Sequence, residues 1–260
     1  MADLGDVFDA GRDEFAVLAP VLWNPIGAAT VAEAGIRAGE RVLDVCCGAG
    51  ASAVPAAEAV GPEGRVDAVD LADGLLAHGR AHASGLSQLR FHHADATQWM
   101  TGGYDVVQCV FGVFFLPDMD ADSARLAALG RRFVVTTWHE DAISPVPQIL
   151  GDAIVAEGGA PEGSAGRAPG GRIDTPGKLH HWLAGLGLTD VRVSTFQHSM
   201  PLDDTTSWAI VMGSAMRMRL RGVADGVLPR VRVRFEELLR DRKVDRMNAV
   251  SLIGMGRMAQ

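Results

Sequence analysis

The chain has 260 residues, 48% of them hydrophobic, which is enough to bury a sizeable core within one domain. A net charge of -8 and a pI of about 5.4 exclude the basic face that a duplex nucleic acid demands. No apolar run reads as the ~18 residues of a membrane span, and the acidic MADLGDVFDAGRDEF start lacks the basic and apolar regions of a signal peptide.

In chain order, helical spacing is predicted over 13–20 and 26–35, then a strand at 41–46 (RVLDVC) that runs into a glycine-rich turn and a helix over 50–60. A strand at 65–70 (RVDAVD), a helix over 73–84 capped by Asp73, and strands at 89–94 (LRFHHA) and 104–111 (YDVVQCVF) follow. A helix over 119–129 leads to a strand at 132–138 (RFVVTTW). The first, fourth and fifth strands are nearly continuous apolar runs, as expected where both faces of a parallel sheet are covered. Residues 157–172 (EGGAPEGSAGRAPGGR) read as a flexible loop. Beyond it come a helix over 175–186 opened by Thr175-Pro176, a strand at 190–197, helices over 204–220 and 227–242, and a last strand near 248–255. The pattern predicts one α/β domain over 1–260 with a doubly wound, mostly parallel sheet. Its core is 36–200, with one helical lid at 1–35 and a second inserted at 201–246.

The three cysteines, Cys46, Cys47 and Cys109, have no disulfide-like spacing and fit a reducing, cytoplasmic setting. There is no CxxC or HExxH, and the pairs His92-His93 and His180-His181 point to opposite faces of any strand, so no metal is expected.

The chemistry is concentrated at the ends of the strands. Gly48 and Gly50 in VLDVCCGAG let the backbone approach a ligand closely. Gly48-Ala-Gly-Ala-Ser-Ala53 also fits a G-x-G-x-x-A dinucleotide fingerprint, with Asp70 at the acidic position, so a nicotinamide dinucleotide is the alternative cofactor. Asp44, just before the turn, favours a cationic amino-acid group and would repel a pyrophosphate. Together with Asp70 and Asp95 it outlines a ligand bearing an ammonium, ribose hydroxyls and an adenine amino group.

The ordered series VLDVCCGAG, AVDLADGLL, HADATQW and YDVVQCVFGVFFLPD resembles the class I S-adenosylmethionine-dependent methyltransferases. The resemblance is strongest to the bacterial small-molecule branch that is similar to the ubiquinone and menaquinone C-methyltransferases. VVTTW at 134–138, IDTPGKL at 173–179 and LGLTDV at 186–191 extend the resemblance, and PLDD at 201–204 resembles that branch's late lid. The resemblance implies S-adenosylmethionine as cofactor and a small-molecule, secondary-metabolism acceptor, in a monomer or homodimer without nucleic-acid or membrane partners. It implies that Cys47, Gly48, Ala49 and Gly50 pass under the methionine moiety. Asp70 would hold the ribose, Leu71 the adenine face, and Asp95 with Ala96 the adenine edge. Val110 would border the transferred methyl group. Two departures stand out: Cys46 occupies the loop's usual first glycine, and Leu129-Gly-Arg-Arg132 lacks the usual proline-glycine turn.

For the acceptor, Phe111, Phe114, Trp138, Trp208 and Met212 are the expected substrate walls. His139, after the fifth strand, is the candidate general base for an O, N or C nucleophile. The implied reaction is an in-line displacement in which the protein aligns the partners and excludes water. Two other readings stay open: an NAD(P)-dependent oxidoreductase, which lacks a Tyr-x-x-x-Lys pair here, and an S-adenosylmethionine-binding protein that supports a different reaction.

Overall fold

The computed structural model describes residues 4–161 and 169–258. Its strands are β1 (Arg41–Val45), β2 (Arg65–Asp70), β3 (Leu89–His93), β4 (Tyr104–Val110), β5 (Gly130–Trp138), β6 (Leu188–Phe196), β7 (Ser199–Pro201), β8 (Arg246–Asn248) and β9 (Ser251–Met258). The helices are α1 (Leu4–Asp9), α2 (Arg12–Leu18), α3 (Asn24–Ala34), α4 (Ala53–Val60), α5 (Asp73–His82), α6 (Met119–Ala127), α7 (Val146–Ala156), α8 (Pro176–Gly185), α9 (Thr206–Met212) and α10 (Leu228–Asp241).

Seven strands form one sheet in the order β3-β2-β1-β4-β5-β9-β6, parallel except that β9 runs antiparallel to both neighbours. The alternation of side chains explains why it is covered twice. Val42, Val66, Val106 and Val134 face one layer and pack with buried residues of α3 and α4. Leu43, Val107, Phe133 and Val135 face the other and pack with α6 and α8. The strand order reverses between β1 and β4, so a crevice opens beyond their carboxyl ends.

Above that crevice lies a third apolar cluster, built from α7, α9, α10 and the N-terminal helices. Arg12–Ala34 is a single helical run of 23 residues, with a five-residue π-turn at Ala19–Trp23 between α2 and α3. Contrary to the expectation from sequence, it is long and apolar enough, at mean hydropathy 1.5, to cross a membrane. In the fold it packs on protein, with Leu18, Leu22 and Ile26 fully buried. Helix α2 crosses α9 at two glycines: a Cβ on Gly11 would sit 2.2 Å from the Met212 carbonyl oxygen, and one on Gly213 would sit 2.5 Å from the Phe15 nitrogen.

Several local expectations are corrected. The helix read over 204–220 breaks at Gly213-Ser214, where the Ser214 side chain caps a 3-10 turn over Ala215–Leu220. Helix α5 is entered from Ala72 without a side-chain cap, and Asp73 is its first residue. Helix α7 and the two-stranded antiparallel sheet of β7 and β8 were not anticipated. Residue 248, expected in the last strand, belongs to β8, and that strand starts at Ser251. Residues 162–168 of the predicted loop lie outside the described residues.

Candidate active site

The turn after β1 is held by the end of β2. Cys46, Gly48 and Gly50 adopt φ of 56°, 52° and 89°, a left-handed path that costs a non-glycine residue such as Cys46. The Asp70 carboxylate accepts from the Gly48 N–H at 2.8 Å and from the Ala72 N–H at 2.9 Å, tying the β1 turn to the start of α5. Burial raises the Asp70 pKa, while the Ala72 and Gly48 N–H groups oppose the shift. One strand further out, Asp95 caps the turn Ala96–Gln98, accepting from both the N–H and the hydroxyl of Thr97 at 2.8 Å. Arg125 braces the same turn through the Ala96 carbonyl oxygen at 2.6 Å and the Trp99 carbonyl oxygen at 2.8 Å.

Asp70, Asp95 and the turn residues Cys46 to Gly48 line a cavity of about 430 Å³ at the carboxyl ends of the strands. The structure brings Cys47, Gly48, Asp70, Leu71, Asp95, Ala96 and Val110 together on its wall, joined by Phe111, Phe114 and Trp138 on the β4–β5 side. Leu71 is 38% exposed, consistent with an apolar face left open towards the cavity.

Other sequence-predicted residues are elsewhere. Asp44 is fully buried beneath the turn and does not line the cavity. Its Oδ2 accepts from the Ser52 hydroxyl at 2.7 Å and from the Gln108 amide at 3.0 Å, while its Oδ1 and the neighbouring Gln108 Oε1 have no partner among the described residues. Burial pushes its pKa up to about 7. Ser52 does reach the wall, so any influence of Asp44 on a ligand is relayed through it or through space. Ala49 and Gly50 lie behind the turn; a Cβ on Gly50 would stand 2.9 Å from the Phe91 ring. His139 is off the wall, its Nδ1 accepting from the Asp141 N–H at 3.2 Å. Trp208 points away from the cavity and packs on Phe235 of α10 at 6.2 Å. Met212 is taken up in the helical cluster. On a helix, residues 208 and 210 are about 200° apart, so α9 turns Ile210 to the cavity and Trp208 to α10.

Sequence reasoning missed Phe8, Trp23 and Ile143, all of them wall residues. Phe15 also stands in the wall, while Leu18 and Leu22 of the same helical run are core.

A parallel sheet with a reversed last strand, a glycine turn after β1 and acidic groups closing β2 and β3 define the Rossmann-like methyltransferase class. Residues 42–131 match the family model described as methyltransferase domain. That stretch runs from β1 to the start of β5, the part of the sheet that carries the glycine turn, Asp70 and Asp95.

Among the relatives is the aklanonic acid methyltransferase DauC of Streptomyces sp. strain C5, 35% identical over 46% of this chain and 56% of DauC. Another is an uncharacterized protein of Mycobacterium tuberculosis, 38% identical over 46% of this chain and 43% of that one. A demethylmenaquinone methyltransferase of Staphylococcus aureus is 33% identical over 32% of this chain and 36% of its own. The chain thus spans about half the length, or less, of the curated relatives it matches. A cyclopropane-fatty-acyl-phospholipid synthase-like protein from Lactobacillus casei shares the fold with a TM-score of 0.59 at 18% identity, over 91% of this chain and 90% of that one. The YcgJ protein of Bacillus subtilis does so with 0.56 at 14%, over 90% and 98%.

Proposed function

We propose that the protein transfers the methyl group of S-adenosylmethionine to an O, N or C nucleophile of an apolar small molecule, a specialised metabolite in the cytoplasm. The observation that carries this reading is the pairing of Asp70 and Asp95 on one cavity wall with the turn that Asp70 itself holds.

The residues present fit the cofactor. The buried acceptor Gln108 Oε1, unpaired among the described residues, makes the floor under the turn electronegative, and Asp44 adds to it as its carboxyl ionises at about pH 7, which suits an ammonium above it. The backbone of Cys47 and Gly48 would run beside the methionine moiety. Asp70 keeps carboxylate lone pairs for ribose hydroxyls, Asp95 would accept from the adenine amino group beside Ala96, and Leu71 would pack on the adenine face. Bound S-adenosylmethionine supplies a methyl group already activated by its sulfonium.

The chain's own part is to bind, to align the acceptor and to keep water out. Phe111, Phe114 and Trp138 form the acceptor wall with Val110 at the junction, and the helical segments 1–35 and 201–222 act as its roof. Within the second segment Ile210 and Met216 take the place expected of Trp208 and Met212. His139, off the wall, is not retained as the base. The names of the relatives, an aklanonic acid and a demethylmenaquinone methyltransferase, support a flat, polyaromatic or quinone-like acceptor.

The test is a thermal-shift comparison. S-adenosylhomocysteine should raise the melting temperature and NADH should not. A shift with NADH alone would return the chain to the oxidoreductase reading.

A further inference from the structure

The aromatic side chains on the apolar side of the cavity touch one another in series. Phe15 stacks on Trp23 with ring centroids 5.1 Å apart, Trp23 meets Phe111 in a T-shape at 6.0 Å, and Phe111 stacks on Trp138 at 4.0 Å. Ring faces at these spacings are what a flat π-system packs against.

Two backbone irregularities hold this cluster in place. Trp23 closes the π-turn Ala19–Trp23, which shifts the helical register so that the indole reaches the cavity while Leu18, Leu22 and Ile26 stay in the core. Such turns gather at functional sites. Phe111 is held at φ 55°, a conformation a residue with a Cβ adopts only under constraint. The constraint is visible at the next residue: a Cβ on Gly112 would lie 2.5 Å from Cys46 Cβ and 2.6 Å from Cys109 Sγ, so the chain turns at Phe111 with no room to spare.

The third observation is chemical. Trp23 Nε1 is buried and has no hydrogen-bond partner among the described residues. A buried indole N–H normally finds an acceptor, because leaving it unpaired forfeits its hydration without return. Here the unpaired donor belongs to a wall residue of the one cavity that the methyltransferase reading assigns to the acceptor.

We propose that Trp23 is the acceptor-orienting residue: its indole N–H donates to a carbonyl or phenol oxygen of a planar aromatic acceptor held against Phe111 and Trp138. The inference rests on the methyltransferase reading and adds to it a substrate feature and a residue. An N–H donor can serve an oxygen lone pair and cannot serve an ammonium, so it selects oxygenated rings over amines and plain hydrocarbons. In the ligand-free arrangement the N–H is buried, so acceptor entry has to shift Trp23 or its neighbours to reach it. The hydrogen bond then fixes the rotation of a flat molecule that stacking alone leaves free to turn in its plane.

The test uses two probes of similar shape, 2,3-dimethyl-1,4-naphthoquinone and 1,2,3,4-tetramethylnaphthalene, and two proteins, wild type and Trp23→Phe. Phenylalanine keeps a ring for stacking and removes the donor. Equilibrium dialysis is run with protein alone and with saturating S-adenosylhomocysteine. Wild type should bind the quinone more tightly than the hydrocarbon. Trp23→Phe should weaken the quinone roughly three- to tenfold, the value of one hydrogen bond, and leave the hydrocarbon unchanged. Equal losses for both probes would reduce Trp23 to packing and overturn the proposal, as would an unchanged quinone affinity or a wild-type preference for the hydrocarbon. Failure of S-adenosylhomocysteine to bind wild type would overturn the methyltransferase reading instead, and dialysis with protein alone would still decide the role of Trp23.

Discussion

Replacing Asp44 with asparagine should change how stability depends on pH. The carboxyl is fully buried with one unpaired oxygen, and burial raises its pKa from 3.8 to about 7. Because the folded-state value lies above the unfolded one, its contribution is greatest below pH ~4. Between about pH 4 and 7 the unfolded chain releases this proton and the folded chain keeps it, so stability falls as pH rises and levels off above 7. A shift of about three units at about 1.4 kcal/mol each sets an upper limit near 4 kcal/mol. Asparagine keeps the shape and can still accept from Ser52 and Gln108, but it puts an N–H₂ where Oδ1 has no partner, giving back about 1–3 kcal/mol. The net gain expected above pH 8 is therefore about 1–3 kcal/mol. Urea unfolding of wild type and Asp44→Asn at pH 5, 6, 7 and 8.5 measures it directly. The gap between the two should widen in the variant's favour up to pH ~7 and then stay constant. Parallel pH profiles would refute the argument, since they would mean that Asp44 titrates normally or not at all in this range.

Other substitutions separate wall from scaffold. Gly50→Ala places a methyl group 2.9 Å from the Phe91 ring at φ 89°, and should cost about 1–3 kcal/mol of stability in thermal unfolding and loosen S-adenosylhomocysteine binding with it; an unchanged melting temperature would show that the turn has slack. Trp208→Ala should cost about 2–4 kcal/mol through lost packing on Phe235, while the dissociation constant for S-adenosylhomocysteine stays within about twofold. Loss of acceptor turnover at full folding would put Trp208 back in the substrate wall. His139→Gln should leave methyl transfer within about twofold of wild type, because the ring lies off the cavity wall; a hundredfold fall in kcat would restore it as the base.

The parallel half of the sheet was legible because β1, β4 and β5 are apolar runs too short for helices and bounded by turn residues. The order of acids along the chain located the cavity. It could not tell depth: Asp44 lies one residue before the end of β1 and Asp70 ends β2, and only packing decides that one is sealed beneath Ser52 while the other stays on the wall. The face of α9 was misjudged because Trp208 and Met212 share a stripe that α10 and the helical cluster cover, leaving Ile210 for the cavity. Helix α7 was left unread because Pro145 and Pro147 interrupt its start, although they sit at its entrance, where proline is tolerated. Trp23 was invisible because a π-turn breaks the 3.6-residue period on which helical faces are read.

The most direct measurement of the central claim is titration calorimetry of S-adenosylhomocysteine into wild type and Asp70→Asn. Asparagine should keep a hydrogen bond to the Gly48 or Ala72 N–H while losing the charge offered to ribose hydroxyls. The account predicts one site per wild-type chain and an affinity roughly tenfold or more weaker in the variant, as for a hydrogen bond to a charged group of about 1.5–3 kcal/mol. Equal affinities in the two folded proteins, or heat from NADH and none from S-adenosylhomocysteine, would contradict it.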